Sequence, residues 1–72
     1  MKEIEMVPVD SSMIKAYGYD RNTGRLRVTF NNDKTYEYYG IPQLVFKAFE
    51  QADSKGSFFH RNIKKQHEGK LM

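Results

Sequence analysis

The residues of this 72-residue chain best suited to chemistry are basic and aromatic, and they are gathered rather than spread. Residues 54–72 carry five Lys/Arg (Lys55, Arg61, Lys64, Lys65 and Lys70) against one acid, Glu68, a balance of +4, whereas residues 1–53 carry seven against eight, a balance of −1. Cations placed together neutralise an anionic partner, and the phosphates of a nucleic acid are the commonest such partner. The same run also serves as a solvated helix face that keeps a small chain in solution. The segment Ser54-Lys55-Gly56-Ser57 precedes the last helical stretch, where unpaired N–H groups favour anions. It reads equally well as an ordinary helix cap. Three of the five tyrosines, Tyr36, Tyr38 and Tyr39, fall within four positions. If Tyr39 stands on an open sheet face beside Arg27, the two form a stacking platform for a base.

Catalytic chemistry does not assemble from what remains. A nucleophile needs an activating base and an orienting partner. There is no cysteine, and Ser11, Ser12, Ser54 and Ser57 stand where strand edges and helix caps are expected. His60 and His67 are seven residues apart on one helix, about 10 Å along its axis, which is too far to chelate one metal. Neither HxxxH nor HExxH occurs, and Gly18, Gly24 and Gly56 stand singly rather than in a phosphate loop. The expectation is a module that is not an enzyme and holds no metal and no cofactor.

The elements that must position these side chains follow from period and punctuation. Hydrophobic residues at 39% and charged residues at 29% suit a folded domain, with the thin core of a short chain. The N-terminal MKEIEMVPVD has no apolar h-region, and no apolar run approaches the roughly 20 residues that span a bilayer. With the lack of cysteine, this points to the cytoplasm and to no membrane partner. SMIKAYGYD (12–20), RLRVTF (25–30) and TYEYY (35–39) are rich in β-formers and are separated by the turn clusters DRNTGR and NNDK. Pro42 then opens a helical period in QLVFKAFEQA, and Phe59 and Ile63 make an apolar stripe in FFHRNIKKQHE. The fold class expected is α+β: a three-stranded antiparallel β-meander followed by two α-helices packed on one face. Residues 1–10 read as a flexible lead-in, 11–68 as the domain and 69–72 as a C-terminal tail.

Strand register decides which tyrosines are inside. A two-residue loop Asn32–Asp33 would carry Glu37 into the core, unpaired. A three-residue loop Asn32–Asp33–Lys34 pairs Phe30 with Tyr36, Val28 with Tyr38, Thr29 with Glu37 and Arg27 with Tyr39. Tyr36 and Tyr38 then face the core, while on the outer face Glu37 is exposed and Tyr39 is exposed or half-exposed. In the first strand, Ile14 and Tyr17 break the two-residue period, and a bulge near Lys15–Ala16 lets Ile14, Tyr17 and Tyr19 all face inward.

The order of these motifs resembles the KTSC domain, named for its place at the C-terminus of some lysyl-tRNA synthetases. It runs SxI and YD in the first strand, LxVxF in the second and YxY in the third. IP then opens the helix, followed by ADSxG, FF and finally Ile63-Lys64. The similarity spans about residues 11–67. The chain departs from the family pattern at His60, where Asn is usual, at Lys64, where Arg is typical, and at His67, where an aromatic is common. The resemblance implies a stand-alone module of the kind found in small bacterial and phage proteins, and its synthetase context implies contact with RNA.

Two functions remain open. The first is a binding module for RNA or another polyanion, in which Lys55, Arg61, Lys64 and Lys65 meet phosphates and Arg27 and Tyr39 meet bases. The second is a protein-interaction module, such as a phage or prophage protein that binds a host factor, through the outer sheet face or exposed Phe46 and Phe58. Neither the oligomeric state nor the roles of His60 and His67 can be read from the sequence.

Overall fold

Leu26 and Val28 are fully buried while Arg25, Arg27 and Thr29 around them are not, which is the two-residue period expected of RLRVTF. The structure, a computed structural model, describes residues 4–72. Its strands are β1 (Val7–Pro8), β2 (Ile14–Asp20), β3 (Arg25–Phe30), β4 (Thr35–Tyr38) and β5 (Gly69–Leu71), antiparallel in the order β1-β2-β3-β4-β5. The sheet thus has five strands, not the three expected. Part of the segment read as a lead-in and most of the segment read as a tail belong to it. Strands of two or three residues are too short to show alternation, and their pairing is set by the free edges that β2 and β4 offer. Ile4 is also buried, against Gly18, where an added Cβ would lie 2.6 Å from the Glu5 carbonyl oxygen.

The β2 bulge is present. Ile14 pairs with Phe30 and Ala16 with Thr29, so the register shifts between them and both Ile14 and Tyr17 are buried. The loop between β3 and β4 also has three residues, but it starts one residue earlier than expected. The Phe30 amide donates to the Lys34 carbonyl, leaving Asn31, Asn32 and Asp33 as the loop, with Asp33 in the left-handed region at φ 68°. Each β3 residue therefore meets a partner two positions earlier: Val28 pairs with Tyr36, Leu26 with Tyr38 and Arg27 with Glu37. The faces survive, because a shift of two preserves them, but the neighbours change.

Helix α1 (Gln43–Gln51) begins after Pro42, and α2 (Lys55–Phe59) continues as a π-helical segment over His60–Lys64. The Asn62 side-chain amide nitrogen donates to the Phe58 carbonyl at 3.3 Å, near the point where the ladder widens. Phe49, Phe59 and Ile63 join Ile14, Tyr17, Leu26, Val28 and Tyr38 in one core, so the helices lie on a single face of the sheet. Tyr17 meets Phe49, and Tyr38 meets Phe59, edge to face at 5.1 Å in each case. Phe46 and Phe58 are not exposed as expected: Phe46 stacks on Tyr19 at 4.2 Å, and Phe58 packs 6.2 Å from Phe49.

The last strand is held by a close approach. A Cβ on Gly69 would lie 2.6 Å from Cζ of Tyr38, the residue it pairs with. Gly69→Ala should therefore cost about 1–3 kcal/mol, as overpacking does. Hydrogen exchange should show Lys70–Met72 losing protection before the rest of the sheet. Unchanged protection there would mean that the Tyr38 ring does not pin β5.

Candidate functional site

Two clusters of chemically capable side chains lie on opposite faces of the sheet. On the face away from the helices, Glu37 is only 3% exposed. Arg27 reaches it through Nε at 2.9 Å and through a second bond from Nη2, the Tyr39 hydroxyl donates to it at 3.0 Å, and Arg25 stands 3.9 Å away. The expectation of an exposed Glu37 is thus overturned. It assumed an open outer face beside an edge strand, whereas β5 pairs beyond β4 and the arginines and Tyr39 close over the carboxylate. Burial acts to raise the Glu37 carboxyl. The hydrogen bonds from Arg27 and Tyr39 and the charges of Arg27 and Arg25 outweigh it and hold the group below the usual carboxylate value. The hydrogen bond to Glu37 in turn raises the Tyr39 phenol, with a smaller contribution from desolvation. Thr29 and Thr35 continue this face with a hydroxyl pair at 2.8 Å.

On the helix side, a cleft of about 590 Å³ opens between the end of the sheet and the last helix. Its aromatic wall is Phe30, Tyr36, Tyr38 and Phe59. Phe30 stands edge-on to Tyr36 at 5.9 Å and to Phe59 at 5.4 Å, and both Phe30 and Tyr36 are half-buried, leaving ring surface open. Tyr38 is 4% exposed, and its hydroxyl has no hydrogen-bond partner among the described residues. Burial raises that phenol, with a smaller contribution from Tyr36. His60 and Lys64, the first and last residues of the π-helical segment, form the basic rim. π-Helical turns recur at functional sites. Opposite them stand Ser12, Asn31 and Asn32.

The expected site residues therefore divide. Lys64 lines the cleft, and Arg61 and Lys65 are exposed nearby on the same segment, while Phe59 and Ile63 anchor its other side in the core. Lys55 lies elsewhere: its Nζ donates to the Ala52 carbonyl at 3.3 Å, beside a smaller hollow that Asp10 and Asp53 also line. Ser54 caps α2 by accepting from the Ser57 amide at 3.4 Å, the ordinary punctuation role. Arg27 and Tyr39 are on the far face, bound to Glu37. His67 is half-buried and does not line the cleft. The cleft residues that sequence reasoning missed are His60, the loop asparagines and the open faces of Phe30 and Tyr36. The spacing of His60 and Lys64 was visible in the sequence, but that the β3–β4 loop stands across from them was not. Among the described residues there is no cluster of three or more metal-ligating side chains, and no helix is long and apolar enough to cross a membrane.

A five-stranded antiparallel sheet with helices on one face and an open aromatic cleft at its end defines a small α+β module. Residues 10–67 match the KTSC domain, and the chain belongs to that family. It is similar to a lysine–tRNA ligase from Nostoc, at 40% identity over 57 residues, 79% of this chain but 10% of the ligase. The chain thus spans about a tenth of the length of the ligases it matches. It also matches an uncharacterised Stutzerimonas stutzeri protein at 34% identity, covering 89% of this chain and 90% of that one. The crystal structure of a KTSC domain protein from Yersinia pestis superposes with a TM-score of 0.92 at 34% identity, over 97% of this chain and 99% of that one.

Proposed function

We propose that this KTSC domain is a non-enzymatic binding module for single-stranded RNA, working in the cytoplasm through the exposed side of its last helix and the adjoining cleft. One observation carries the reading: Lys64 belongs both to the exposed basic stripe and to the rim of an aromatic-walled cleft. Cations beside open ring faces are the combination that binds single strands. No carboxylate among the described residues lines the cleft. The similarity to lysine–tRNA ligases, whose name places them on an RNA, supports RNA over other polyanions. The protein-interaction alternative has less support. Phe46 and Phe58 pack against the core and the Glu37 cluster occupies the outer face; of the exposed apolar residues, Val7 and Leu44 are on separate elements, Leu71 and Met72 are together at the C-terminal strand, and Met13 lines the cleft itself.

Three phosphate contacts through Arg61, Lys64 and Lys65 should give a slope of about −2 in a plot of log affinity for an oligouridylate octamer against log salt. Changing all three to Gln should abolish binding and leave the circular dichroism spectrum unchanged, since exposed charges contribute little to folding. Absence of salt-dependent retention of the octamer by the wild-type protein at low ionic strength would end this reading and return the protein-interaction alternative to first place.

A further inference from the structure

We infer that the cleft takes one unpaired nucleobase of the bound strand, stacked on Tyr36 and Phe30, with the adjoining phosphate on Lys64 and His60. The inference rests on the RNA-binding reading and adds what a basic helix alone would lack: a site for the base itself.

Size and shape come first. A volume of about 590 Å³ lies within the range of small-ligand sites, roughly 300–1,000 Å³. The wall is aromatic, and its two half-buried rings, Phe30 and Tyr36, leave surface open while Phe59 behind them is 1% exposed and rigidly placed. A base stacks on such a surface whatever its identity. The edge opposite the helix is polar and half-used. The Asn31 amide nitrogen donates to the Ser11 carbonyl at 2.9 Å, which leaves its oxygen free to accept. The Asn32 oxygen accepts from the Lys34 amide at 3.0 Å, which leaves its amide hydrogens free to donate. One free acceptor and one free donor on neighbouring residues that both line the cleft suit the hydrogen-bonding edge of a base. Charge is complementary as well: the charged and titratable groups at the rim are Lys64 and His60, with Arg61 and Lys65 continuing outward along the strand's path. The far-face pair Arg27 and Tyr39 has no part in this, because Glu37 occupies both.

The test compares three probes at low ionic strength: an oligouridylate octamer, an abasic ribose-phosphate octamer of equal length and charge, and uridine 5′-monophosphate. Stacking of one base predicts that the abasic octamer binds at least about tenfold more weakly, with the salt slope unchanged. Tyr36→Leu should bring the two octamers to within about twofold. Should that variant misfold, the wild-type protein still reports, because titration with the octamer should shift the ring resonances of Tyr36, Phe30 and His60 and leave those of Tyr39 in place. Equal affinity for both octamers would overturn the base site while leaving polyanion binding intact. Uridine 5′-monophosphate binding as tightly as the octamer would overturn the strand as its source. Binding of none of the three would remove the RNA reading and this site with it.

Discussion

Replacing Tyr38 by alanine should lower stability in chemical denaturation by about 3–5 kcal/mol, the range for removing a large aromatic from a packed core. Tyr38 is 4% exposed, meets Phe59 edge to face and lies against Gly69, so it fastens the sheet to the last helix and to β5 at once. Domains hold about 0.05–0.15 kcal/mol per residue, so a chain this short would lose most of its margin. Tyr38→Phe separates packing from the hydroxyl. The hydroxyl has no partner among the described residues, and the phenylalanine variant should remain within about 0.5–1 kcal/mol of wild type. A small effect of the alanine variant would mean that the aromatic wall of the cleft is not fixed by this ring.

Glu37→Ala should be the next most damaging single change, at about 2–3 kcal/mol. Removing one partner of a fully buried ion pair costs about 3–5 kcal/mol. The side chains of Arg27 and Arg25 keep 23% and 26% exposure, so water recovers part of that. Glu37→Gln keeps the shape and the bond to Tyr39 but loses the charge, and should fall between alanine and wild type. The acid behaviour follows from the sign of the shift. The folded carboxyl is held below its usual value, so its contribution is fully present above the unfolded value of about 4.3. It is lost as pH falls through the folded value. Denaturation at pH 7 should therefore separate wild type from Glu37→Gln, and at the lowest pH where both fold the gap should narrow. A constant gap would show that the carboxylate's charge is not what the arginines stabilise.

Much of the architecture was legible in the order of residues because burial imposes a period. The alternation in RLRVTF, the broken alternation in IKAYGYD that calls for a bulge, and the change to a helical stripe after Pro42 each encode which side of an element meets the core, and each appears as expected. The parity of β4 was equally legible: Tyr38 inside, Glu37 and Tyr39 on the other face. What parity does not encode is the neighbour. Whether the β3–β4 loop starts at Asn31 or Asn32 leaves every face unchanged, and only the paired strands decide that Arg27 meets Glu37 rather than Tyr39. The two outer strands were likewise invisible, since Val7–Pro8 and Gly69–Leu71 owe their conformation to edges supplied by residues far along the chain. Those same decisions placed the candidate site. The sequence by itself determined which side chains carry positive charge and which rings the chain possesses. Tertiary structure alone tied Arg27 and Tyr39 to a buried carboxylate and brought His60 and Lys64 opposite Asn31 and Asn32 across half-open aromatic rings. Local pattern records how each element meets the core, whereas a cleft is made where elements distant in sequence fail to close over one another.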